Sequence, residues 1–283
     1  MTDWFSKNDM ICSKDKTKFL IMGTNANRIA KIDSKNIDMN IKIGNETTKE
    51  SSSEKLLGTI INNKLTWKDH IFGNEENSGL IKQLSKRIGI LAKLRQYMPD
   101  HKFKQIVTGL FTSKMIYCMT VWGGIWNLPN QNNNQRRSMA ITKNEMIKLQ
   151  VLQNKSLRLL SRMGYSTSTK ELLEKCNTLS VHQLVVYHTA TQIFKIQNTK
   201  QPIYHYNRLF LNNENDVNQN NTRFQDININ RVDFDLSLAR SSFFYQGPQV
   251  WSSLPNNIRM ANSLPSFKIM CKQWIRQNIA IKP

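Results

Sequence analysis

Residues 56–71, LLGTIINNKLTWKDHI, mark the handover from a strand-forming region to a helical one. Leu57, Thr59 and Ile61 alternate with Leu56, Gly58 and Ile60 in a short, β-branched-rich run that predicts a buried strand. Asn62, Asn63 and Lys64 carry turn chemistry. Thr66, with Asp69 three residues on, has the form of a capping box in which Asp replaces Glu, so a helix is expected from Trp67.

Upstream, Lys18 to Met22, Arg28 to Ile32 and Met39 to Ile43 read as short strands separated by Gly, Asn, Asp and Ser turns. Residues 44–55 are polar and aperiodic, and Leu56 resumes the sheet. A β-rich segment, 1–64, is expected.

Downstream the period becomes helical. Over 65–126, Ile81, Leu84, Ile88 and Leu91 share one face while Lys82, Lys86 and Lys93 lie opposite. Pro99 ends that helix, and Phe103 to Tyr117 forms the next, with Phe103, Ile106, Val107, Leu110 and Tyr117 as its apolar set. The pair should pack as an antiparallel hairpin. An Asn/Gln-rich linker, 127–141, leads to a basic helical segment, 142–206. There Met146, Leu149, Leu152, Leu157, Leu160 and Met163 make one face and Lys148, Lys155, Arg158 and Arg162 another, and further helices are expected at 168–176 and 180–198. Residues 207–239 are Asn-rich and read as a flexible segment, with no apolar rhythm across 207–230. In 240–283, Gly247-Pro248 predicts a turn, Trp251 and Leu254 are apolar anchors, and Pro255 and Pro265 suit first-turn positions. Leu264, Phe267, Met270 and Trp274 line a final helix with Lys268, Lys272 and Arg276 on another face. The fold class expected is α+β, mainly α, with a small antiparallel β region followed by helices.

At 283 residues and 39% hydrophobic content the chain can bury one or two cores. Its net charge of +20 points to a polyanionic partner, nucleic acid before anionic lipid. The charge is not spread evenly: residues 81–165 hold 15 basic and 2 acidic side chains, against 12 and 11 in 1–80 and 13 and 7 in 166–283. Cys12, Cys118, Cys176 and Cys271 form no C-x-x-C, so neither a zinc ribbon nor a disulfide framework is indicated. His182 and His188 fall near opposite faces of a helix, which disfavours a shared metal. Neither a metal nor a cofactor is expected. MTDWFSKNDM lacks the blocks of a signal peptide, and the apolar stretch 106–126 is interrupted by Lys114. An intracellular protein, nuclear or cytoplasmic and not secreted, with no membrane partner, is the expectation.

Several blocks together resemble the reverse transcriptases of non-LTR (LINE-type, jockey-like) retrotransposons. Leu57-Gly58, the short turn, Leu65-x-Trp67 and His70-Ile71 are similar to that family's passage from palm to thumb. Trp4, Asn8 and Met10, then Lys16-Thr17-Lys18, resemble its W-N-L and K-T-K pattern. LQVLQNKSLRLL (149–160) resembles its post-thumb helix. Gly247-Pro248, Trp251, Leu254-Pro255 and Phe267-Lys268 resemble its closing block. The resemblance runs from Trp4 to Trp274.

It implies that the β-rich segment is a palm remnant, that 65–126 is a thumb, and that a helical domain follows. Leu57 and Gly58 would be primer-grip-like, and Lys16 and Lys18 would lie near the incoming nucleotide. The basic faces, Lys82, Lys86 and Lys93, then Lys148, Lys155, Arg158 and Arg162, then Lys268, Lys272 and Arg276, would hold an RNA/DNA template–primer without reading sequence. The family's aspartate pair would precede Trp4, and the sequence has no Asp-Asp. No catalytic residue is therefore assigned, and no polymerase activity is expected of the chain by itself; a partner chain would complete the palm. Two alternatives stand beside this: a retrotransposon-derived helical module that binds proteins, and a nonfunctional relic of an element.

Overall fold

A computed structural model describes residues 2–10, 13, 17–23, 40–43, 46–129, 141–211, 229 and 239–282. The chain is mainly helical, with two small antiparallel sheets, and divides into the units Met1–Lys82 and Gln83–Pro283.

In the first unit, helix α1 (Thr2–Lys7) precedes two hairpins. Strand β1 (Asn40–Ile43) pairs with β2 (Glu46–Lys49), Asn40 opposite Lys49. Strand β3 (Ser53–Leu56) pairs with β4 (Thr59–Asn62), Ser53 opposite Asn62. The polar stretch 44–55, expected to be aperiodic, thus carries two strands, because hairpin pairing satisfies the backbone even where the side chains face water. Arg28 to Ile32 lies outside the described residues. Lys18 to Met22 is not a strand. In this stretch the Phe19 carbonyl accepts the Ser51 N–H and Gly23 N–H donates to the Asn63 carbonyl, both at 3.0 Å.

The expected strand through 56–61 is corrected in the same way. Leu57 and Gly58 both have positive φ, 47° and 86°, and form the two-residue loop between β3 and β4. Paired left-handed residues match the twist of a hairpin, and Gly58 supplies one of them at no steric cost. Leu57, far from being buried, is 83% exposed. The buried part of this run is β4, with Thr59, Ile60 and Asn62 inside.

Helix α2 (Lys68–Phe72) follows, with Trp67 as its N-cap residue but no side-chain cap. The capping box expected of Thr66 and Asp69 does not form because Asn62 takes both groups. Its amide nitrogen donates to Thr66 Oγ1 at 2.8 Å and Asp69 Oδ2 at 3.2 Å, while its oxygen accepts the Thr66 N–H at 2.8 Å. Buried His70 accepts the Ile60 N–H at 3.3 Å and ties α2 to β4.

Helix α3 (Leu80–Leu94) buries Leu84 and Leu91 and half-buries Ile81 and Ile88. It gives way to a 3₁₀ turn (Arg95–Tyr97), and Pro99 is the N-cap of α4 (Asp100–Ile106). A π-helical segment (Val107–Thr112) joins α4 to α5 (Ser113–Ile116), and α6 (Met119–Trp122) comes next. Arg95 lies over the Phe103 ring at 4.7 Å, and the Arg87 guanidinium donates to the Leu110 carbonyl. These pairs step in opposite directions along the chain, as an antiparallel arrangement requires.

The second unit is built around helix α9 (Val181–Thr199). Helix α7 (Lys143–Ser161) and α8 (Thr169–Lys175) precede it, and α10 (Ile203–Phe210), α11 (Phe243–Ser253), α12 (Asn256–Arg259) and α13 (Leu264–Asn278) follow. Lys195 is the one Lys, Arg, Asp or Glu in VHQLVVYHTATQIFKIQNT, so this helix can be covered on most sides, and α6, α7, α10, α11 and α13 all pack on it. Phe194 stacks on Phe267 at 4.3 Å between ring centroids. The final helix buries Phe267, Cys271 and Ile275, with Leu264, Met270 and Trp274 half-buried beside them.

Gly247-Pro248 does not make the expected turn; both residues are buried inside α11. A Cβ on Gly247 would come within 3.0 Å of Ile193 Cδ1, so the glycine serves close approach of α11 to α9. Pro255 is the N-cap of α12 and Pro265 sits in the first turn of α13. Of the expected flexible segment, 207–210 close α10 with Leu209 buried, and 212–228 and 230–238 lie outside the described residues, as do 130–140 of the linker.

Candidate nucleic-acid interface

Helix α7 begins with a capping box. Glu145 N–H donates to Thr142 Oγ1 at 3.3 Å, and Thr142 N–H to Glu145 Oε2 at 2.6 Å. Its inward side buries Met146, Leu149, Leu152 and Leu157, together with Gln150, Gln153 and Asn154. These amides form a network. Gln150 Nε2 donates to Gln153 Oε1 at 2.8 Å and Asn154 Oδ1 at 2.9 Å, while Gln150 Oε1 accepts the Val181 N–H at 2.8 Å. Gln153 Nε2 reaches the Leu179 carbonyl at 2.9 Å, and Asn154 Nδ2 reaches Thr169 Oγ1 at 2.8 Å. The polar letters of LQVLQN thus seat the start of α9 against α7, each buried amide paired as burial demands.

The cations of α7 point the other way. Lys148 and Lys155 are exposed. Arg158 is half-buried and donates to the carbonyls of Gly164 (3.3 Å), Tyr165 (3.2 Å) and Thr167 (3.1 Å), so it holds the following loop. Arg162 is the left-handed C-cap, with φ 56°, 3.5 Å from Asp100. The Arg95 hydrogen bond at 2.6 Å and the nearby Arg162 charge hold the Asp100 carboxyl below its ordinary range. Arg95 also donates to the Leu159 carbonyl at 2.7 Å and so ties the end of α3 to the end of α7.

Lys82, Lys86 and Lys93 are exposed along α3. On α13, Lys268 and Lys272 are half-buried and Arg276 is exposed. Lys272 Nζ donates to the Asn177 carbonyl at 2.7 Å, and the Arg276 guanidinium donates to Asn177 Oδ1. Burial lowers the Lys272 pKa, and the charges of Arg276 and Lys104 add to that effect. Lys104, on the exposed side of α4, therefore belongs to this cationic group, although its sequence position far from α13 gave no sign of it.

In the first unit, Leu57 and Gly58 form the hairpin tip, where Leu56 is also 58% exposed. Lys16 lies outside the described residues. Lys18 is exposed and lines an open pocket of about 830 Å³ with Lys49, Glu50, Glu54, Glu75 and Glu76, where carboxylates outnumber ammonium groups. That lining suits a phosphate less well than α7 does.

His182 was not read as structural from the sequence, yet it is 1% exposed and bonded on both ring nitrogens. Ser180-Val181-His182-Gln183 contains the capping box that begins α9, a signal visible in the sequence. Gln183 carries the network on to the Ile279 carbonyl at 2.8 Å.

Among the described residues no helix is long and apolar enough to cross a membrane, and no group of three or more His, Cys, Asp or Glu side chains is placed to hold a metal ion. No protein-family model matches the chain, and comparison with curated proteins and with solved structures found no match.

Proposed function

We propose that the chain is a noncatalytic C-terminal portion of a non-LTR retrotransposon reverse transcriptase that holds an RNA/DNA template–primer by its sugar–phosphate backbone. The observation that carries this reading is helix α7. Its inner side is consumed by packing and by the amide network, while Lys148, Lys155 and Arg162 stand outward in a stretch of 15 basic and 2 acidic residues. Phosphate contacts of this kind position a duplex without reading its sequence. The hairpin tip at Leu57 and Gly58 would support the primer end, and the absence of an Asp-Asp pair leaves two-metal phosphoryl transfer to another chain or segment.

The test is binding of the purified chain to a labelled RNA–DNA duplex across a salt titration, with a polymerase assay alongside. Binding should weaken steeply with salt, no synthesis should occur, and changing Lys148, Lys155 and Arg162 together to Ala should flatten the log–log slope by about 3. Loss confined to some sequences, or absence of binding at low salt, would overturn the reading. A helical protein-interaction module is the second reading, favoured by the exposure of Leu56 and Leu57 at one hairpin tip.

A further inference from the structure

Tyr165 is 84% exposed, in the turn between α7 and α8. A lone exposed aromatic signifies little. This one is held in place. Arg158 donates to the carbonyls on both sides of the turn and to that of Tyr165 itself, and Thr167 N–H closes the turn onto the Gly164 carbonyl at 3.3 Å. Ser168 then caps α8 through a reciprocal pair with Glu171, at 3.1 and 3.3 Å. The guanidinium that fixes the backbone also lies 5.4 Å from the centre of the Tyr165 ring, so a cation backs the ring while most of its surface faces water.

The position of the ring matters as much as its exposure. Lys148, Lys155, Arg158 and Arg162 are spaced by seven, three and four residues, which keeps them on one side of α7 over a rise of about 21 Å. Tyr165 follows Arg162 by three residues, so the cationic row ends at an exposed aromatic ring whose backbone is held. Single-stranded nucleic acid is bound by that pairing of features, cations along the backbone and a ring under a base. A paired helix cannot use the ring, because its bases are stacked on one another.

We propose that Tyr165 is a stacking seat for an unpaired base, and that the ligand of the α7 face includes a single-stranded RNA or DNA segment whose phosphates run along Lys155 and Arg162. This rests on the nucleic-acid reading above and narrows it from duplex alone to a duplex with an unpaired extension.

The test uses the full chain with two RNA–DNA duplexes, one blunt and one with a single-stranded overhang carrying a fluorescent adenine analogue whose emission falls on stacking. The overhang should tighten binding about tenfold and quench the analogue, Tyr165→Ala should abolish both differences, and Tyr165→Trp should retain them. Quenching and overhang preference that survive Tyr165→Ala would overturn the assignment, as would an overhang that adds nothing to a blunt duplex that does bind; in both cases the duplex reading survives. Absence of binding to either duplex would remove the duplex reading and this assignment together.

Discussion

The Nε2 of His182 accepts the backbone N–H of Trp126, 56 residues earlier, at 3.2 Å, and its Nδ1 lies 3.3 Å from the Ala280 carbonyl. A donor N–H at Nε2 and an acceptor carbonyl at Nδ1 fix a neutral ring with the proton on Nδ1. One imidazole therefore joins the segment after α6, the central helix α9 and the end of α13.

Burial pushes the His182 pKa down to about 4 from 6.5, against the pull of its hydrogen bond to the Ala280 carbonyl, while the Trp126 N–H, which needs the Nε2 lone pair, favours the neutral ring. A histidine with a depressed folded pKa contributes stability that is complete above about 6.5 and is lost as pH falls toward about 4, because only the unfolded chain takes up the proton. The span corresponds to roughly 3 kcal/mol. Urea unfolding at neutral pH and at about pH 5 should show the loss, and His182→Gln, which keeps a donor and an acceptor but cannot titrate, should remove most of it. His188, also lowered by burial, acts in the same direction and accounts for a remainder. A pH dependence unchanged in His182→Gln would place the titrating group elsewhere.

Gly123 is another point of dependence around α9. A Cβ there would sit 2.5 Å from the Met119 carbonyl oxygen and 2.8 and 2.9 Å from the Val185 methyl groups. Gly123→Ala should cost about 2 kcal/mol in chemical denaturation, and adding Val185→Ala should not restore it, because the Met119 carbonyl is backbone and cannot retreat. Recovery in the double variant would identify the methyl contacts as the sole obstacle.

The helices were legible wherever their periodicity or their punctuation was strong. Met146, Leu149 and Leu152 announced α7, Pro99 marked the boundary before α4, and the helices expected at 168–176 and 180–198 are α8 and α9. The hairpin around Leu57 was misread because an apolar run with one glycine has the composition of a strand, and only the left-handed backbone at Leu57 and Gly58 divides it. Gly247-Pro248 misled in the opposite sense, since a glycine needed for close helix packing looks the same in sequence as one needed for a turn. On the candidate interface, alternation separated the cations of α7 from its core. It could not show that Arg158 is occupied with loop carbonyls, nor that Gln150, Gln153 and Asn154 turn inward, because their partners are set by tertiary packing.

Leu57 adopts φ 47° with its side chain almost wholly in water. A left-handed backbone costs a leucine about 1–2 kcal/mol, and Asn tolerates it far better. Leu57→Asn should therefore stabilise the β3–β4 hairpin by about 1 kcal/mol, read as slower hydrogen exchange at the amides of Thr59–Asn62. Faster exchange would mean that the leucine side chain supports the hairpin through packing that outweighs its backbone strain.

Two cations three residues apart on α7 should behave differently when removed. Arg158 binds three loop carbonyls, whereas Lys155 is exposed on the outer side of the helix. Arg158→Ala should cost about 1–3 kcal/mol, since several charge-assisted bonds are lost and the carbonyl of Thr167 is left partly buried, and it should speed proteolysis or exchange across 164–168. Lys155→Ala should change stability by no more than about 0.5 kcal/mol while weakening RNA–DNA binding and its salt dependence. A stability loss for Lys155→Ala comparable to that for Arg158→Ala would remove the division of this face into a structural arginine and a ligand-facing lysine. Because the Arg158 variant also releases Tyr165, its binding data report loop order as well as charge, so the phosphate contribution of α7 is read at Lys155 rather than at Arg158.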